Sequence, residues 1–496
     1  MKPRATIWVL SLIFAAGSFA VRAQVQGQGQ GPQSQDPSAP NPSASSTAQG
    51  ADSGKRPSGA ARGVSGPNDR LPEDPSQATP DTNTLAGAQL FGVGSLEHPH
   101  NIFDPSLSAS ELGVTLPNTA GQLQLESETL VGGSLNFNRL WSRYQFTTIY
   151  TGGESFTRGQ NITNNPDSQF HDLTVMQAID WARWHILLRD DFVASPGAAF
   201  TGTGMGGPGL IAQLSSTIEA TLNSVGQGFV PSETIQNGNA MRYRNASLGQ
   251  IEYSLNRKSS VTVAGSYGLL DFPGAGYINS HMTNVQAGYD YSYDPNDSLG
   301  ILAGYTKIDY TGASISATST TSYLAALAYG WKITGRLAFQ AAGGPEQIRY
   351  MSPAGGFQVW YASFKSALTY ERRRNGYSLT FMRGLSSGSG VFAGAESNII
   401  TVAAHRQFTR NWLGSINGGY AINNSLAPAA TATVRFDNWF AGASLGRGIG
   451  RHVAVNFNYA IQRQNSPAVC PVANCGVVGL QQTFGVTANL HLRPTG

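Results

Sequence analysis

The sequence predicts an all-β chain, a transmembrane antiparallel β-barrel of about 16 strands that follows a disordered N-terminal tail. Three observations predict it. Apolar residues recur at every second position through most of residues 121–496. The polar connections between these runs alternate short and long. Charged residues are 12% of the chain, about half the soluble average, while Gly, Phe and Tyr number 59, 22 and 19. Such a composition suits strands with no water on one face.

Residues 1–23 read as a signal peptide. Lys2 and Arg4 precede an apolar run from Ala5 to Ala20, and Val21-Arg22-Ala23 offers a small-residue cleavage site. The run is short for a spanning helix. Residues 24–120 read as a disordered, low-complexity periplasmic tail. The stretch to about 83 is rich in Gln, Gly, Ser, Pro and Ala and has too few large apolar side chains to offset the entropy of ordering. His98-Pro99-His100 could hold a metal, but a solvated loop accounts for it as well.

The barrel is expected over 121–496. Period-2 alternation is plain in HVAVNFNYAIQRQ: Val453, Val455, Phe457, Tyr459 and Ile461 on one face, Asn456, Asn458 and Gln462 on the other. The same pattern puts Tyr377, Leu379 and Phe381 opposite Ser378 and Thr380. In QVWYASFKSALTY, Trp360, Ala362 and Phe364 oppose Tyr361, Ser363 and Lys365. The apolar row would face lipid, where a basic charge at mid-membrane costs ~2–4 kcal/mol, and the polar row would face the interior.

Short turns centre near Leu140, Asp180, Asn256, Asn296, Thr334, Arg373, Thr409 and Ile449; the last six are 40, 38, 39, 36 and 40 residues apart. Longer Gly/Ser/Pro-rich connections such as SSGSGVFAGA lie between them. A soluble sandwich also alternates, but it does not separate short from long connections by end, as a transmembrane barrel does. Trp141, Trp181, Trp184, Trp331 and Trp412 all fall near short turns, as an interfacial aromatic girdle requires. Counting back from the C-terminus gives sixteen strands starting near Ser142. QLESETLVGGSLNFN and ELGVTLP would raise the count to 18, and either number leaves a water-filled channel.

Pore-lining candidates are Arg143, Arg189, Asp190, Asp290, Lys365 and His405, few and of both signs. The insert at about 193–242 places Leu210, Leu214, Ile218 and Leu222 at helical spacing, with Glu219 between them. It would fold into the lumen as a constriction loop or pack as a helix on the outer rim. Cys470 and Cys475 lie in the loop before the last strand; a loop-stapling disulfide fits an oxidising compartment, and a redox role is the weaker alternative. No metal, cofactor or catalytic motif stands out. A net charge of +3 gives no argument for nucleic acid.

The final segment, QTFGVTANLHLRPTG, resembles the C-terminal strand of Gram-negative outer-membrane β-barrel proteins in Thr483, Gly485, Ala488 and Leu490, with Leu492 continuing the face. The chain departs from that pattern by ending Arg493-Pro494-Thr495-Gly496 without a terminal aromatic. The resemblance implies a porin-like protein of the outer membrane, with outer-membrane lipid and the barrel assembly machinery as partners. The tail would reach a periplasmic partner. The function implied is a channel passing small hydrophilic solutes by passive diffusion and not an enzyme. A barrel for exporting or anchoring a surface polymer stands second, and a barrel-borne hydrolase third.

Overall fold

The computed structural model describes residues 101–117, 123–158, 167–195, 241–274, 276–312, 315–353, 355–372, 374–388, 390–409, 411–426, 434–465 and 479–492. Within them 18 strands run from β1 (Ile102–Pro117) and β2 (Leu123–Leu140) to β17 (Val453–Asn465) and β18 (Gly479–His491). Each pairs antiparallel with its chain neighbours, and β1 also pairs with β18, so one sheet closes on itself. The larger of the two expected counts is realised. ELGVTLP lies in β1 and QLESETLVGGSLNFN in β2, so the barrel starts at Ile102, ahead of the boundary expected at 121. The proposed signal peptide and most of the tail lie outside the described residues.

All eight expected short turns are hairpin ends. Local chemistry explains two of them. In the turn after β8 (Asn279–Ser292), the Asp294 carboxylate accepts the Asn296 and Asp297 amides at 2.7 and 2.9 Å. After β10 (Ile315–Thr334), the Thr334 hydroxyl accepts the Arg336 and Leu337 amides at 3.2 and 3.0 Å.

The two faces separate as the alternation requires. In β17, Phe457 is 49% exposed and its neighbour Asn458 6%. The convex outer surface splays its apolar side chains towards lipid. The concave inner surface draws polar side chains together, and they bond sideways: Ser110 to Thr487 at 2.9 Å, Gln462 to Gln481 at 2.5 Å and Ser397 to Asn423 at 2.6 Å. At the β18–β1 seam, His491 lies 3.2 Å from Asp104, and the Leu492 amide donates to the Pro105 carbonyl at 3.0 Å. Glycines admit rings on the inner wall, and a Cβ at Gly419 would stand 2.6 Å from the Phe440 ring.

Two aromatic girdles bound the apolar belt. At the short-turn end Trp141, Trp181, Trp184 and Trp331 are exposed, with Trp184 against Tyr253 at 4.5 Å and Arg447 over Trp412 at 5.2 Å. At the other end stand Tyr267, Tyr305, Tyr323, Trp360 and Tyr420. Trp331 and Tyr323 are eight residues apart on β10, which is about 26 Å along the strand and about 20 Å once tilted. With the rings' own size added at each end, that span approaches the roughly 25 Å apolar band of transmembrane barrels. The closed sheet, the apolar outer belt and the two girdles make the protein a membrane-spanning β-barrel.

Leu327, midway between Trp331 and Tyr323 on β10 and paired with Ile301 and Gly343, is 62% exposed and sits in the middle of this belt. Leu327→Arg should lower stability by about 2–4 kcal/mol, and Leu327→Ala by clearly less. Urea unfolding in lipid vesicles, with unchanged m-value, measures both.

Candidate functional site

The site is built from the inner wall and two connections at the long-loop end. The described residues between β13 (Asn375–Ser386) and β14 (Ala395–Gln407), 387–388 and 390–394, turn into the barrel. Gly388, Gly390 and Gly394 take φ of 81°, 77° and 89°, which lets a short segment reverse twice. The Val391 and Phe392 amides both donate to the Gly388 carbonyl at 3.0 Å, forming a tight turn. Val391, Phe392 and Ala393 are then buried, Phe392 to 3% exposure.

This segment crosses between distant parts of the wall. The Ile278 amide, before β8, donates to the Gly390 carbonyl at 2.9 Å, and the Leu426 amide, after β15 (Trp412–Ser425), to Gly394 at 3.1 Å. Phe392 meets Phe436 of β16 (Arg435–Ile449) edge-on at 5.3 Å. Ala393 joins a cluster with Ile278, Tyr310, Ile348, Tyr350 and Leu426. The β7–β8 connection also turns inward, with Phe272 stacked on Tyr277 at 5.0 Å, and the ring of Phe272 fills the place a Cβ on Gly390 would take. A hydrophobic bridge thus joins the stretch of wall from β8 to β11 (Leu337–Ser352) to the stretch from β14 to β16 through the interior. Burial, not charge, holds it there.

Two groups of charged side chains flank the lumen. On β4 (Asp167–Asp180), β5 (Trp184–Ser195) and β6 (Arg242–Asn256), Asp172, Arg189, Asp191, Arg242 and Arg244 share the inner wall. Arg189 pairs with Asp191 at 2.6 Å, both nearly inaccessible, and Thr174 donates to Asp191 at 2.7 Å. Asp172 interacts with Arg244, Arg189 and Asp191. The second group centres on β11 (Leu337–Ser352) and β12 (Gly355–Arg372) and reaches β14, nine strands round from β5 and so on the opposite side of the ring. Glu346 accepts a hydrogen bond from Ser322 and interacts with Lys365, and Arg383 pairs with Glu396 at 2.8 Å. Each group mixes acids and bases.

The candidates from sequence fall in different places. Arg189, Asp290 and Lys365 are on the inner wall, and Asp290 is buried over Gly300, whose hydrogen leaves room for the carboxylate. His405 belongs to the inner row of β14, opposite Ser415 near the short turns. Arg143 is not on the wall. It is exposed in the β2–β3 hairpin, where its carbonyl accepts the Asp180 amide at 2.8 Å. Asp190 faces outward, opposite Ser247 of β6, and Asp191 takes the inner position instead. Leu210, Leu214, Ile218, Glu219, Leu222, Cys470 and Cys475 lie outside the described residues. Sequence reasoning missed the bridge, although an apolar Val-Phe-Ala triplet inside a Gly/Ser loop is a signal for it.

Arg189→Met should expose the cost of leaving Asp191 unmatched at a position almost closed to solvent, about 3–5 kcal/mol for a buried pair. Stability measured by denaturant titration in vesicles checks it. Asp191→Asn together with Arg189→Met should recover much of the loss.

No protein-family model matches the chain, and no curated protein matches it. Solved structures do. Pseudomonas aeruginosa OpdQ is 10% identical with a TM-score of 0.38, over 80% of this chain and 98% of OpdQ. Acinetobacter baumannii OccAB4 is 7% identical with a TM-score of 0.39, over 80% and 99%. Pseudomonas aeruginosa OccK2 is 9% identical with a TM-score of 0.38, over 79% and 98%.

Proposed function

We propose that the protein is an outer-membrane channel through which small hydrophilic solutes pass by diffusion, narrowed by the bridge of Val391, Phe392 and Ala393. The observation that carries this reading is an apolar bridge set inside a barrel whose inner wall is polar. A barrel serving only as an anchor has no need of a polar interior, whereas a conduit needs both a wettable wall and a place where width is set. Selection would follow size first. The inner charges are mixed on both sides, so a strong preference for either sign is not expected. His405 and Asp290 are wall residues in this reading, and Lys365 helps balance Glu346 near the bridge.

Single-channel recording in a planar bilayer tests the reading. The native protein should give small, steady conductance steps. Val391→Ala with Phe392→Ala removes the buried side chains that hold the bridge, the phenylalanine alone by roughly 3–5 kcal/mol, and should give larger steps. Silence from both proteins, with the barrel folded, would refute the channel.

A further inference from the structure

The outer wall of β5 and β6 carries a polar patch that its own barrel leaves half-served. Outward residues on β5 run Ile186, Leu188, Asp190, Phe192, and those on β6 run Ile251, Gly249, Ser247, Asn245. Asp190 is six residues beyond Trp184 of the short-turn girdle, with Phe192 still to come, so it lies within the apolar belt. Ser247 donates to Asp190 Oδ1 at 2.5 Å. The Asn245 amide stands 3.4 and 3.5 Å from the two carboxylate oxygens and donates to the Asp191 carbonyl at 3.2 Å. Asp190 Oδ2 thus has, among the described residues, one long contact.

Elsewhere on the outer wall Glu111, Tyr150 and Tyr267 find their partners within the barrel. Both oxygens of Glu111 accept short bonds, from Ser127 at 2.5 Å and Thr129 at 2.6 Å. Tyr150 meets His171 at 3.0 Å and Tyr267 meets His281 at 3.2 Å. Lipid tails cannot supply the donors a carboxylate at Asp190 would still accept, since an ionised carboxyl offers about four acceptor sites. A protein surface can.

Beside the patch, Gly249 is paired with Gly265 of β7 (Ser259–Asp271). Neither glycine is needed by the barrel itself. A Cβ at Gly249 would meet only Leu188 at 3.6 Å and one at Gly265 only the Asn284 carbonyl at 3.7 Å, both ordinary contacts. The shallow place they leave lets a neighbouring surface approach the polar groups.

We infer that this face of β5–β7 is an interface with a second copy of the chain. Copies inserted in the same direction can be related only by an axis along the membrane normal, and such an axis keeps every residue at its own depth. In a two-fold pair Asp190 therefore meets the partner's patch in the same layer. The patch is self-complementary there, because Asp190 Oδ2 is left as an acceptor and Asn245, whose amide reaches its own Asp190 only at 3.4 and 3.5 Å, keeps a hydrogen to donate to the partner's Asp190. This inference does not depend on the channel reading, and a barrel of any function could assemble this way.

The test uses the full mature chain in mild detergent and in nanodiscs, with mass photometry to count copies. The native protein should be oligomeric. Asp190→Asn, nearly isosteric, and Asp190→Leu should weaken association roughly ten- to a hundredfold, as loss of a charge-assisted hydrogen bond does. Heat-dependent gel mobility reports whether each barrel is folded. Asn245→Cys in a background of Cys470→Ser and Cys475→Ser should form a disulfide between chains. A monomeric native protein, association unaltered by either Asp190 variant, or an Asn245→Cys chain that stays unlinked would overturn the inference.

Discussion

A bilayer offers no hydrogen-bond partner to a strand edge, so every amide and carbonyl that crosses it has to be met by the chain itself. The β1–β18 pairing, from Ser106 opposite His491 to Thr115 opposite Gln482, meets that constraint. The rest follows from it. Closure gives every strand one convex and one concave side, and the side-chain period of two then assigns each residue to lipid or lumen. Val453, Phe457 and Tyr459 are outside for the same reason that Asn456, Asn458 and Gln462 are inside. A slip of one residue would exchange the two rows and bring amides into lipid, so the hydrophobic pattern also fixes register.

Hairpins at one end are short because nothing more is needed to reverse a strand, and the Asp294 and Thr334 side chains cap the reversal. At the other end the longer connections have material to spare. One of them uses it to put Val391, Phe392 and Ala393 inside the barrel. Three glycines with positive φ permit the path, two backbone hydrogen bonds tie it to Ile278 and Leu426, and the aromatic rings of Phe272, Tyr310 and Phe436 make the landing apolar. The bridge and the mixed charges of the two wall groups constrain the same space: one sets width, the other keeps the wall wettable without a strong field of one sign.

The barrel was legible in sequence because β17 and most strands carry an unbroken alternation, and because the short turns fall at near-equal spacing. β1 was harder. Its inner row is Ser106, Ser108 and Ser110 in the lower half but Leu112 and Val114 in the upper, while the outer row turns from Leu107 and Ala109 to Glu111. Polarity changes sides halfway along, which cancels the periodic signal. Asp190 was misplaced for a related reason. Leu187 and Leu188 are both apolar and Arg189, Asp190 and Asp191 all charged, so the local sequence does not say which row is inner; only the pairing with β4 and β6 decides. The bridge was invisible to periodicity because it rests on tertiary contacts between residues more than a hundred positions apart, such as Ile278 and Gly390.

Accessibility measured site by site along β17 tests the central claim, that one alternation divides lipid from lumen. Spin labels placed singly at 453–464 in a bilayer would be relaxed by lipid-soluble oxygen and by a water-soluble nickel chelate. The account predicts oxygen maxima at Val453, Val455, Phe457, Tyr459 and Ile461 and chelate maxima at Asn456, Asn458 and Gln462. Equal access at successive positions, or maxima exchanged between the two rows, would contradict it.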